Sequence, residues 1–122
     1  MKYQIDNEIQ NIAQDVIRKL DFSHIKIEKI LCIRSRGSKS RRTIARIHGL
    51  PKIMQTALNI KAFYVIEIIS ENFDKLNQED KIKTIIHELM HIPKGFGGGF
   101  RQHKPYVTRK NVEETFKTYM SL

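Results

Sequence analysis

The stretch LNQEDKIKTIIHELMHIP, Leu76 to Pro93, decides how the rest of the chain is read. Asn77 has the short polar side chain that caps a helix N-terminus, and Asp80 stands three residues on, in the capping-box position. Ile82, Ile85, Ile86, Leu89 and Met90 then recur at i, i+3, i+4, i+7 and i+8, which lays one continuous apolar stripe along an α-helix. Pro93 lacks the amide proton needed to continue it. The spacing therefore predicts a core-packed helix whose last turn is HELMH, followed directly by the glycine-rich segment KGFGGGF and by His103.

HELMH is rare enough to be informative. With 5 histidines and 8 glutamates in 122 residues, roughly 0.013 matches to this pattern arise by chance. Counting about 100° per residue from Ile82, His87 falls near roughly 140° and His91 near roughly 180°, away from the apolar stripe. Two imidazoles one turn apart on an open face can hold a single Zn²⁺. Glu88, beside the first of them, can take a proton from a water activated there. A catalytic zinc needs a third protein ligand and an open position. A ligand six residues after His91 is excluded, because Gly97 occupies that position. His103, twelve residues beyond His91 across the glycines, is the favoured third ligand, with Glu113 or Glu114 on a later helix as the fallback. Arg101 and Tyr106, flanking His103, are the candidates for stabilising an oxyanion or touching substrate.

Outward from this core the elements alternate. Residues 6–20 are expected as a first amphipathic helix, with Ile5, Ile9, Ile12, Ala13, Val16, Ile17 and Leu20 at helical spacing. Strands are expected at 25–34, 43–49 and 62–70. The last, AFYVIEIIS, is the clearest and is taken as the free edge along which an extended polypeptide would pair. Pro51 opens a short helix with Ile53, Met54, Ala57 and Leu58 on one face. Thr108 to Met120 closes the chain with a helix bearing Val112, Phe116 and Tyr119 on one side. The expectation is a single α+β domain over residues 1–122, with an N-terminal helix, a sheet of about three strands, the HELMH helix and a C-terminal helix.

Composition narrows the class. No apolar run approaches the roughly 18 residues of a membrane span, and the opening MKYQIDNEIQ is too polar for a signal peptide. One cysteine, Cys32, excludes an internal disulfide and a cysteine-based zinc ribbon, so a cytoplasmic protein with no membrane partner is expected. His24 and His48 lack partner patterns and read as structural or surface residues. The net charge of +9 favours polyanionic partners. Its densest part is RSRGSKSRRTIAR, where Arg34, Arg36, Lys39, Arg41, Arg42 and Arg46 meet no acid. Arg34, Arg36, Lys39, Arg41 and Arg42 are the candidate contacts to DNA or RNA phosphates; the competing reading is a solvated loop, with Arg46 paired to an acid such as Glu67.

VIEIISENFDKLNQEDKIKTIIHELMHI, with GGGFRQH after it, resembles the core of the SprT-like (Spartan-type) zinc metallopeptidases over about residues 65 to 103. The shared features are a strand ending in Ser-Glu, a leucine-containing turn, a charged helix start, an apolar HExxH and a later Gly-His segment. RGSKSRRTIARIHGLP and HIPKGFGGGFRQH also look like segments of small archaeal metallopeptidases, over about Arg34 to His103. The resemblance implies a small zincin-like fold and a zinc-dependent endopeptidase with one Zn²⁺ per chain on His87, His91 and His103, Glu88 as general base, and a polypeptide substrate. The loop between His91 and His103 is shorter than in Spartan-type proteases. The zinc ribbon and DNA-binding tail of that family are not expected here, so cleavage of DNA–protein crosslinks carries over poorly. Two rival readings are a nucleic-acid-binding module with a structural or vestigial zinc site, and a regulatory zincin that cleaves one dedicated partner.

Overall fold

A computed structural model describes all of residues 1–122. The chain runs β1 (Lys2–Ile5), α1 (Asn7–Lys19), a 3₁₀ turn (Ile27–Lys29), β2 (Ile30–Arg36), β3 (Ala45–Gly49), α2 (Lys52–Leu58), β4 (Tyr64–Ile69), α3 (Ser70–Phe73), α4 (Gln78–Met90) and α5 (Arg109–Met120). The strands form one mixed sheet in the order β1-β2-β4-β3. The architecture is α+β, a small zincin-like fold. Alternate residues of the two central strands, Ile30 and Cys32 with Tyr64, Ile66 and Ile68, enter one core with Ile9, Ala13, Val16 and Ile17 of α1, Ile85, Ile86 and Leu89 of α4, and Val112, Phe116 and Tyr119 of α5. Ile82 and Met90, at the two ends of the predicted α4 stripe, pack partly buried against it.

The caps follow the sequence. Asn77 accepts the Asp80 amide and Thr108 accepts the Asn111 amide, which fixes the starts of α4 and α5. α1 begins later than Ile5 because Asp6 is its N-cap, with an extended backbone and its side chain accepting from Ile9 N. Ile5 therefore belongs not to the helix face but to a fourth strand, antiparallel to β2 and paired with Ile33, and is 67% exposed. Four residues of mixed character carry little strand pattern of their own. Their pairing depends on β2, some thirty residues along the chain, and Gln10 of α1 continues that ladder by donating to Ile30 O and accepting from Cys32 N.

The strand at 62–70 is not an edge. β4 pairs in parallel with β2 and antiparallel with β3. Its nearly unbroken apolar run is what a strand buried between two neighbours requires. The edge towards α4 is β3. Ile44 O accepts from Ile69 N and Leu50 N donates to Phe63 O. The alternation of an antiparallel ladder then turns the backbone groups of Ala45, Ile47 and Gly49 outward. α2 forms as expected behind Pro51, but Ile53, Met54 and Leu58 are exposed rather than in the core.

On the face of the sheet away from the helices, buried Glu67 accepts from Ser35 Oγ at 2.8 Å, meets His48 Nε2 at 2.8 Å and pairs with Arg46 Nε at 3.1 Å. The expected Arg46–Glu67 pair is present. Burial alone would raise the Glu67 pKa, but the bonds from His48 and Ser35 and the charge of Arg46 lower it. Arg34 is also structural. It spans Asp6 at 2.8 Å, Asp74 at 2.7 Å and Ser70 Oγ at 3.2 Å, tying the start of α1 and the end of α3 to β2.

Arg34→Ala leaves Asp6 part-buried without its counter-charge and should cost about 3 kcal/mol of stability in urea unfolding. A loss within about 0.5 kcal/mol of zero, the range of ordinary surface changes, would make Arg34 a surface charge. Glu67 titrates lower folded than unfolded, so its contribution is complete above the unfolded value of about 4 and is lost as pH falls through the folded one. Glu67→Gln should therefore flatten the acid limb of the stability–pH curve below about pH 4, and an unchanged limb would contradict this.

Candidate metal centre and cleft

His87 and Glu88 sit in the last turn of α4, and His91 is its C-cap residue. The chain then reverses. Arg101 N donates to His91 O at 2.8 Å, and His91 Nδ1 bonds Arg101 O at 2.7 Å. The imidazole must donate there, since a carbonyl only accepts, so His91 keeps its lone pair on Nε2. Across from it, His87 Nε2 lies 3.3 Å away. The His103 ring completes the cluster, with centroids 5.4 Å from His87 and 4.7 Å from His91. One ligand atom from each of the three lies within 4.8 Å of the others. A tetrahedral zinc with Zn–N of about 2.0–2.1 Å places neighbouring nitrogens roughly 3.3–3.4 Å apart, so the His87–His91 spacing fits a shared ion.

The loop that delivers His103 is pegged from the sheet. Tyr64 OH, on β4, donates to Gly98 O and accepts from Gly97 N, both at 3.0 Å. Phe96 and Phe100 pack on the Tyr64 ring with centroids 5.0 and 5.7 Å away. Gly97 has φ +97°, and a Cβ there would meet the Ala62 side chain at 3.1 Å, so this turn requires glycine. In the sequence Tyr64 stands out only as one residue of the strand 62–70. Its hydroxyl role has no local signature, because the partners lie more than thirty residues away.

Electrostatics mark the same place. Glu88 is 5% exposed and its Oε2 is buried with no hydrogen-bond partner. Burial pushes its pKa up to about 7. Burial, helped by the neighbouring His91 and His103, drops His87 to about 4. At neutral pH His87 thus offers a lone pair, and Glu88 is poised to gain or lose a proton. Both line a cleft of about 600 Å³. Ile44 and Ala45, beside the free edge of β3, and Val107 and Val112 line it as well. Asp80 and Thr84 line it at i−7 and i−3 from His87, a polar helical face that was legible in the sequence but was read only at its histidines.

The other predicted residues divide. The fallback ligand Glu113 faces the cleft with its carboxylate held by Lys83 at 2.8 Å, and Glu114 is exposed outside the histidine cluster. The Arg101 guanidinium stacks on the Tyr106 ring at 4.1 Å and neither residue lines the cleft; it is the Arg101 backbone that serves the site. In the basic loop, Arg34 is absorbed by the scaffold and Arg42 lines the cleft, whereas Arg36, Lys39 and Arg41 are exposed. His48 is bound to Glu67, and half-buried His24 stacks against Phe22.

Comparison with known families agrees with this geometry. A family model described as "Putative phage metallopeptidase" matches residues 1–119, and the chain belongs to that family. Membership implies a peptidase with a metal cofactor, and the three histidines are where a metal fits. No curated protein and no solved structure matches the chain at a significant level. No helix is long and apolar enough to cross a membrane.

Elemental analysis of the purified chain should give about one metal per chain, and His103→Ala should reduce this severalfold or more. Full retention in that variant, with loss in Glu113→Ala, would move the third ligand to Glu113.

Proposed function

We propose that the chain is a zinc-dependent endopeptidase of the HExxH type, of the kind its resemblance to SprT-like enzymes implies, folded as one domain over residues 1–122. The observation that carries this reading is the buried, unpartnered carboxylate oxygen of Glu88 beside three imidazoles that share one cleft. A structural metal site needs no such carboxylate, and a buried carboxyl with a raised pKa beside ligand-type side chains is what functional sites carry.

His87, His91 and His103 would hold the zinc, which supplies Lewis acidity towards a carbonyl and a water. Glu88 acts as general base: with its pKa raised to about 7, it takes a proton from the attacking water and hands it to the leaving amine. His91 is kept in the ligating tautomer by the Arg101 carbonyl. An extended substrate would pair with the outward backbone groups of Ala45, Ile47 and Gly49 on β3, which brings a scissile bond past the histidines. Ile44, Val107 and Val112 favour apolar side chains on the substrate, and Arg42 favours an acid near the rim. In the basic loop, the exposed Arg36, Lys39 and Arg41 would be the contacts to DNA or RNA phosphates.

Glu88→Gln preserves shape and removes the base. It should retain the metal and lose about 10²–10⁴-fold in turnover of casein or a fluorogenic peptide. A variant as active as the wild type would sink the assigned mechanism, and wild-type protein inert towards a broad peptide library would favour the nucleic-acid-binding reading.

A further inference from the structure

A second concavity, of about 410 Å³, shares no lining residue with the histidine cleft. Lys26 and Lys29 reach it from the turn before β2, Lys52 from α2 and Lys61 from the approach to β4; Gly97 and Gly98 close it. No carboxylate lines it, and none of the four lysines is in an ion pair. Elsewhere Lys19 and Lys83 do have acidic partners. The nearest acid in sequence, Glu28, is exposed and bonds none of the four. Lys29 Nζ rests over the Phe63 ring at 4.5 Å and Lys26 Nζ over Phe96 at 5.9 Å, so aromatic faces help to hold both ammonium groups. Four like charges around one hollow repel each other, and the hollow focuses their field on whatever enters it.

An adjoining groove of about 270 Å³ shares Lys52, Gln55 and the two glycines and continues over Leu50, Phe63 and Phe100. It is aromatic and aliphatic where the first hollow is charged. The Gln55 amide nitrogen is committed to Leu50 O at 2.8 Å, which leaves its carbonyl oxygen as an acceptor.

We propose that the two hollows together bind a nucleotide bearing two or more phosphates, with the phosphates among the lysines and the ring in the groove against Phe100. The lysines converge from separate segments on a concave space, which suits a compact anion; a nucleic-acid strand calls instead for cations along a track. The glycine loop walling this hollow also leads to His103, so an occupant touches the segment that completes the metal cluster.

The test is calorimetric titration of the full chain with adenosine triphosphate and, separately, with inorganic tripolyphosphate, at about 50 mM salt, where screening is modest. It reads heat of binding and stands whether or not the protein cleaves peptides. Saturation by the nucleotide at a single site is expected, more tightly than by tripolyphosphate. Lys52→Ala/Lys61→Ala, both exposed positions, should weaken both ligands about tenfold or more. Phe100→Ala should weaken the nucleotide severalfold and spare tripolyphosphate. Absence of saturation by the nucleotide, or binding indifferent to the lysine variant, overturns the proposal. Tripolyphosphate binding as tightly as the nucleotide, with Phe100→Ala silent, overturns the nucleotide assignment. A short single-stranded oligonucleotide that needs the same lysines while the nucleotide fails would assign the hollow to a strand instead.

Discussion

The arrangement of the metal centre depends on one reciprocal pair of hydrogen bonds between His91 and the backbone of Arg101. The helix carrying the histidines ends at His91, where its carbonyls lose their intrahelical partners. Arg101 N satisfies one of them, and Arg101 O takes the ring proton of the same residue. A single return of the chain therefore terminates the helix, fixes the tautomer and sets where residue 103 must lie. The distances of 2.8 and 2.7 Å leave little slack.

That return is possible because the sheet holds the loop. Tyr64 is buried in the central strand and reaches the glycines with its hydroxyl, so the stiffest part of the fold positions its least regular segment. Because β4 is sandwiched between β2 and β3, the free backbone lies on β3, against the cleft that contains Glu88. Glu88, the histidines and the open strand edge thus line one cleft, the arrangement that the proposed hydrolysis of an extended chain would use.

Charge is partitioned in the same way. The basic segment, a uniform cluster in the sequence, serves four ends in space: Arg34 braces helices to the sheet, Arg46 pairs with Glu67, Arg42 enters the cleft, and Arg36, Lys39 and Arg41 face water. The lysines that share a hollow, Lys26, Lys29, Lys52 and Lys61, are spread over thirty-six positions and form no run. Linear density of charge was therefore a poor guide to where charge converges.

Helix α4, its cap at Asn77, its apolar stripe and the i, i+4 spacing of His87 and His91 were legible in the sequence, because each depends on residues within a turn or two of one another. The central strand was legible as a strand from its apolar run, yet not as central, because position in a sheet depends on partners the run does not name. β1 was missed for the same reason, its pairing being completed by Gln10 and β2 rather than by its own four residues. His103 stood out as a candidate by composition, but its closeness to the other two histidines rests on Tyr64, Gly97 and the Arg101 clamp. The raised pKa of Glu88 likewise comes from burial that no linear pattern encodes. Local hydrogen bonds and periodicity are written in neighbouring residues. Which strand edge stays open, which charges lose water and which loop end meets which helix end are decided only when distant segments pack.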